Sequence, residues 1–266
     1  MLALGGLLLA GCDSPGTQQG RAPISYAGSG TLSDTVLPPL SEAFVRHGGS
    51  PLSFDGYVGS TAGFKQVMEG RVRMGGIARA LKSAEKALHP YYVIIGYDAL
   101  AVYVHPANPV ATLSREQLKA LFTGQVRRWK EVGGADAPVE LVTIRLATGA
   151  GTADFFRERI LEGAAFARTR EIPHPRDVMA YVATHPGAIA FGSLSVPPRD
   201  VRLLPLEGVS PSPESVRTAD YLLSRPLVLV TRQVPEPAVQ AFLDHVMSPE
   251  GQALVAQSFV PVHGAH

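Results

Sequence analysis

Strand-like runs alternate with helix-like runs from residue 24 onward, and Gly, Ser and Thr sit where a strand hands over to a helix. That alternation confines the chain to α/β architecture, because strands separated by helices pair in sheets that the helices then cover. A strand is predicted at 24–27, then a Gly-rich turn and a helix over about 34–47. A second strand at 52–57 leads through Gly59 and Ser60 into a helix at 62–69. The apolar, β-rich stretch 91–104 reads as one long strand or two short ones, closed by Pro106 and Pro109. Helices are predicted at 115–122 and 153–161 on either side of a strand at 139–144. Short strands follow at 187–195 and 226–231, and two helices at 237–247 and 249–257 close the chain. With 266 residues there is enough chain for two lobes of ordinary domain size.

The N-terminus is of a different kind. Residues 1–10 form an apolar run of Leu, Ala and Gly, too short to span a bilayer as a helix. It ends in Leu9, Ala10, Gly11, Cys12, which resembles the bacterial lipoprotein signal whose cysteine is lipidated and becomes the first mature residue. Cys12 is the single cysteine, so the chain forms no internal disulfide, and a thiol kept for acylation fits that count. Residues 13–22, rich in Ser, Pro, Gly and Gln, read as a tether. A lipid anchor on Cys12 places the protein in the periplasm or at the cell surface.

Three of the strand-to-helix turns bear chemistry. GSGTL (28–32), GSTAG (59–63) and TGAGT (148–152) each place small hydroxyl or glycine residues at a helix N-terminus. There the backbone presents unpaired N–H groups and the positive end of the helix dipole, a ready anion site. One such turn is an ordinary N-cap. Three of them, with Arg145 leading into the third, point to a small oxyanion whose oxygens an arginine fork can pair.

These turns and the segments between them resemble, in order, the periplasmic phosphate-binding protein family. The supporting stretches are GSTAGFKQVMEGRVRMGGIARALK (59–82), YDALAVYVHPANPV (97–110), LSREQLKALFTGQVRRWKEVGG (113–134), GAIAFGSLS (187–195), YLLSRPLVLVT (221–231) and the closing FLDHVMSPEGQALV. The resemblance implies a type II periplasmic-binding fold: α/β, two lobes joined by two hinge crossings, with the ligand held between them. Lobe 1 is then discontinuous, 23–98 and 228–266, and lobe 2 is 99–227. The implied ligand shell is Thr31 and the N–H of Leu32, Ser60 and Thr61, Arg79, Arg145, and the turn Ala150, Gly151, Thr152. The implied partners are inorganic phosphate or a related oxyanion, and the permease subunits of an ABC importer that recognises the closed, monomeric protein; no cofactor is implied.

Three departures from the family pattern qualify the shell. Ala150 stands where a serine is usual, and the spacing from Arg145 is one residue longer. Ala78 and Arg79 stand where many members have a serine followed by Asp or Arg. Arg79 cannot accept a proton from hydrogen phosphate; facing the cleft it would add positive charge, and turned outward it would be a solvated arginine. A diverged cleft, serving another small anion or a sensor or interaction role, is the alternative that these departures keep open.

Other classes find little support. No GxSxG nucleophile elbow, GxxxxGK[ST] phosphate loop or HExxH metal pair is present, so the chain does not read as an enzyme. A formal net charge of +1, with both signs mixed, gives no basic stripe for nucleic acid. Trp129, Phe155, Phe156 and Phe191 are expected in the core, Arg127, Arg128 and Lys130 on a solvated surface, and Asp154 and Glu158 on a charged helix face.

Overall fold

The computed structural model describes residues 21–144 and 151–262, apart from the side chains of 55–57 and 175. Cys12, Arg145 and Ala150 lie outside the described residues. The strands are β1 (Ile24–Gly28), β2 (Leu52–Tyr57), β3 (Met74–Ile77), β4 (Tyr91–Val104), β5 (Glu140–Ile144), β6 (Arg170–Ile172), β7 (Ala188–Ser193), β8 (Arg202–Leu204), β9 (Ser224–Thr231) and β10 (Val260–Pro261). The helices are α1 (Leu37–Arg46), α2 (Gly59–Met68), α3 (Ser83–Lys86), α4 (Arg115–Phe122), α5 (Gly151–Arg159), α6 (Pro175–Thr184), α7 (Pro213–Arg217), α8 (Pro237–Met247) and α9 (Pro249–Val255). A π-helical turn, Leu32–Val36, opens α1, and a 3-10 turn, Trp129–Val132, follows α4.

The strands join in the order β2-β1-β3-β9-β4-β7-β5-β6, with β8 and β10 also on β4. The stretch 91–104 is thus one long strand, and it serves two sheets. Its first part, Tyr91 to Ala99, pairs antiparallel with β9, and Leu100 to Val104 pairs antiparallel with β7. Within the first sheet β1 lies between β2 and β3, parallel to both. Within the second, β5 lies between β6 and β7, parallel to both. Each sheet therefore has a central strand whose neighbours are reached by successive helical crossovers. In such α/β sheets the crevice opens beyond the carboxyl end of that strand. The turn after β1 and the start of α5 after β5 occupy those ends.

Both sheets are covered on two faces. Against the first, Leu32, Leu37, Leu40, Phe242 and Val246 pack with Ile24, Tyr26 and Leu229 on one side. Phe64 and Val67 of α2 pack with Ala27, Ile77 and Val230 on the other. In the second, Leu118, Leu121, Phe122, Trp129, Phe156 and Phe191 form one core, and Val178, Met179 and Val182 of α6 pack with Val142 and Ala190. Trp129 is buried and its Nε1 donates to the Gly187 carbonyl at 3.0 Å. Phe156 and Phe191 stack at 3.9 Å between ring centroids. Phe155 departs from the expectation of a core residue: it is only partly buried and lies under the guanidinium of Arg225. The charged face expected of α5 is divided as well. Asp154 pairs with Arg157, and Glu158 reaches Lys82, which precedes α3, at 2.6 Å.

Glycines bring α2 onto the first sheet. A Cβ on Gly63 would stand 2.5 Å from the Gly28 Cα and 2.6 Å from the Ala27 carbonyl oxygen. One on Gly28 would meet the Gly76 carbonyl at 2.3 Å. The N-terminus of α2 thereby sits directly over the end of β1, which draws the first two hydroxyl-bearing turns together.

Candidate functional site

The turn after β1 is tightly self-bonded. Ser29 is buried; its N–H donates to the Gly76 carbonyl at 2.9 Å, and its Oγ accepts the Thr31 N–H at 3.2 Å. The N–H of Leu32, expected in the ligand shell, donates instead to the Ser29 carbonyl at 3.1 Å. That N–H thus has a partner within the turn, and the Leu32 side chain is a core residue. The Tyr26 hydroxyl also donates to the Ser29 carbonyl, at 3.1 Å. Burial, with a smaller contribution from the charge of Asp34, pushes the Tyr26 phenol far above its ordinary value and keeps it a donor.

Ser60 and Thr61 lie in the first turn of α2, whose leading N–H groups have no partner within the helix. The helix begins three residues earlier than predicted, so Gly59 and Ser60 belong to it. Ser60 Oγ accepts the Ala78 N–H at 3.2 Å. Gly151 opens α5 from the opposite sheet, and a Cβ there would stand 3.1 Å from Ser60 Oγ and 3.8 Å from Ser29 Oγ. The turns of the two sheets thus meet, and glycine lets them do so.

Arg79 fits neither expectation for it. It is buried, and it forms a two-pronged pair with Glu85 at 2.8 Å for each contact. Nη2 also donates to Thr61 Oγ1 at 3.2 Å, and Nη1 to the Ala80 carbonyl at 3.0 Å. Burial by itself would raise the Glu85 carboxyl. The hydrogen bonds from Arg79 and the Lys82 N–H, with the charges of Arg79 and Lys82, outweigh it and hold the group below the ordinary glutamate value. A depressed folded-state pKa stabilises the fold at pH above the unfolded value, and that contribution is lost as pH falls through the folded value. Glu85→Gln is therefore expected to cost about 3 kcal/mol at neutral pH, leaving a buried, half-paired arginine. The gap from wild type should shrink below roughly pH 4, as read from urea midpoints across pH; a gap that is constant with pH would contradict it.

Sequence reasoning missed Arg225 and Asp98. Each is the single charge in a strand, β9 and β4 respectively, and they face one another in the register Asp98↔Arg225 where the two sheets join. Both are buried, at 1% and 2% exposure. Asp98 Oδ2 accepts from Arg225 Nη2 at 2.7 Å and Nε at 3.0 Å, while Oδ1 accepts from Ser193 Oγ of β7 at 2.8 Å. The far edge of the guanidinium reaches Thr31 Oγ1 at 3.3 Å, Thr152 Oγ1 at 3.4 Å and the Gly151 carbonyl at 3.5 Å. A lone charge of each sign inside two apolar runs was the available signal.

Five hydroxyls consequently share one polarity. Those of Ser29, Thr31, Ser60, Thr61 and Thr152 each accept a hydrogen from a protein N–H, and among the described residues none donates to a protein group. A hydroxyl has one hydrogen to give. Among the described residues that hydrogen has no protein acceptor, and a ligand oxygen can take it.

Two α/β lobes that share crossing strands and meet through such turns define a two-lobed binding protein. A profile of the PBP superfamily domain matches residues 13–250, and the chain belongs to that superfamily. The curated phosphate-binding protein PstS of Bacillus subtilis is 28% identical over 254 residues, covering 93% of this chain and 83% of the relative. A Clostridium perfringens structure with bound phosphate, described as a phosphate ABC transporter substrate-binding protein, superimposes with a TM-score of 0.77 at 30% identity, over 91% of this chain and 100% of that one. An ABC-type phosphate transport receptor of Vibrio cholerae has the same fold, with a TM-score of 0.81 at 24% identity over 88% of this chain and 98% of the receptor. The family is one of solute-binding proteins of ABC transporters, not of enzymes.

Proposed function

We propose that this protein captures inorganic phosphate between its lobes and delivers it to an ABC importer. The observation that carries this reading is the common polarity of the five hydroxyls, which offers donors and suits a ligand rich in oxygen acceptors, as phosphate is. The helix N-termini of α2 and α5 add partial positive charge from opposite sides. Relatives that bind phosphate support the choice of anion.

The proposed shell is Thr31, Ser60, Thr61, Gly151 and Thr152, to which Ser29 is added from its place beside Gly151. Arg145 and Ala150 belong to it by resemblance of sequence. Leu32 contributes packing, and Arg79 acts through Thr61 rather than as a free cation. Lobe 1 comprises 23–98 and 228–266 and lobe 2 comprises 99–227, the chain crossing between them within β4 and within β9. Among the described residues no helix is long and apolar enough to cross a membrane. A lipid on Cys12, following a cleaved signal at 1–12 and carried on the tether 13–22, supplies the membrane attachment in this proposal, outside the cytoplasm and beside the permease.

Calorimetric titration of protein lacking residues 1–20, stripped of ligand by unfolding and refolding, tests the proposal with phosphate and sulfate as separate titrants. Micromolar or tighter phosphate binding is expected, as a solute receptor requires. Heat with neither anion would sink phosphate capture; heat with sulfate alone would move the reading to another oxyanion.

A further inference from the structure

We propose that the buried Asp98–Arg225 pair orients the Thr31 and Thr152 hydroxyls as donors and so makes lobe closure and ligand binding a single event. The inference rests on the phosphate-capture reading and names the residue that regulates the same cleft.

The geometry is specific. Thr31 belongs to the turn after β1, Thr152 to the first turn of α5 in the opposite lobe, and both hydroxyls fall to the same nitrogen, Nη2 of Arg225. That nitrogen carries two hydrogens. Asp98 Oδ2, at 2.7 Å, takes one of them, and the other lies between two threonines at 3.3 and 3.4 Å. A single N–H is thus shared by hydroxyls that are brought together only when the lobes are.

Further contacts tie the rest of the guanidinium and its Asp98 partner to the second sheet and α5. The Gly151 carbonyl is 3.5 Å from Nη1, and the Phe155 ring centroid is 5.6 Å from the guanidinium carbon, so residues from the first two turns of α5 all meet one arginine. Asp98 receives Ser193 of β7 on its other oxygen, and Ser193 in turn bonds Ser195 at 2.8 Å. The pair therefore stands at the junction of the two sheets, where the turn that bears Thr31 and the start of α5 both reach it.

The chemistry follows from what arginine lacks. It has no acceptor, so a hydroxyl that contacts it must accept, and its own hydrogen then points elsewhere. Asp98 balances the charge of Arg225, so the pair brings orientation to the cleft rather than net charge. When the lobes part, Thr31 and Thr152 separate and no longer share the N–H, and the hydroxyl that leaves it is free to bond with water in any sense. Closure restores the donor orientation, and an anion in the cleft is what rewards it.

A double-variant cycle read by calorimetry with inorganic phosphate provides the test, on the ligand-stripped chain. Arg225→Lys keeps the charge toward Asp98 but loses the planar fork. It is expected to weaken phosphate binding about tenfold to a hundredfold, the worth of one or two charge-assisted hydrogen bonds. In a Thr31→Val/Thr152→Val background the same change should cost less than about threefold, because no hydroxyl remains to orient. An equal loss in both backgrounds, or no loss in either, overturns the inference. Should Arg225→Lys not fold, Asp98→Asn/Arg225→Gln removes both charges together and takes its place in the cycle, with the same convergence expected. A wild type that takes no phosphate sinks the functional reading and this inference with it, whereas a wild type that binds but gives an additive cycle sinks this inference alone.

Discussion

Asp98→Ala is expected to remove about 3–5 kcal/mol of folding stability. The substitution leaves Arg225 charged, buried at 1% exposure, with only weak contacts of 3.3 Å and longer to share its donors. It also strands Ser193 Oγ, which donates to the lost carboxylate at 2.8 Å. The cost arises from desolvating a cation without its partner, so removing both charges should recover much of it. Asp98→Asn/Arg225→Gln is accordingly expected to be more stable than Asp98→Ala, although it differs from wild type at one more position. Urea-induced unfolding of the ligand-free proteins measures both. A loss below about 1 kcal/mol for Asp98→Ala would mean that Arg225 reaches water, contrary to the burial on which the account relies.

The second large effect is on affinity. Gly151→Val should weaken phosphate binding about tenfold to a hundredfold while leaving the melting temperature of the ligand-free protein unchanged or slightly raised. A Cβ at this position stands 3.1 Å from Ser60 Oγ, tighter than side chains normally pack, and the γ-carbons of valine extend beyond it. The opposing surface is the first turn of α2, held down by the Gly63 and Gly28 contact, so it cannot retreat. The strain falls on closure alone, because Gly151 opens a helix without a positive φ and valine has the higher helix propensity there. Calorimetry and thermal melts on the same preparation separate the two quantities. Wild-type affinity in the variant would show that the lobes do not approach this closely around the ligand.

The strand–turn–helix units were legible because each couples two local signals, an apolar run and a small-residue turn. The long strand β4 was legible for the same reason, in a run whose single charge is Asp98. Short elements were not: β3 reads MGGI and β6 reads REI, too few residues to establish a period. The turns that bear Thr31, Ser60 and Thr152 could be named from the sequence, since glycine and hydroxyl residues before a helix have a local meaning. The polarity of those hydroxyls could not, since it depends on partners far along the chain. Ser60 is oriented by Ala78, and Thr31 by an arginine 194 residues away. Arg79 was misjudged for a related reason. Its partner Glu85 lies six residues on, across a turn, at a spacing that marks no helix face, although Glu85 also accepts the Lys82 N–H as the third residue of a short helix. Phe155 was placed in the core because aromatic residues usually are, yet it covers the guanidinium whose importance the sequence did not disclose.

Hydrogen exchange followed by mass spectrometry, with and without inorganic phosphate, tests most directly that phosphate is held between the meeting turns. Phosphate is expected to slow exchange in segments containing Ser29 to Leu32, Gly59 to Thr61 and Gly151 to Thr152, from both lobes together. Protection confined to one lobe, or lying elsewhere on the surface while the three turns exchange unchanged, would contradict it.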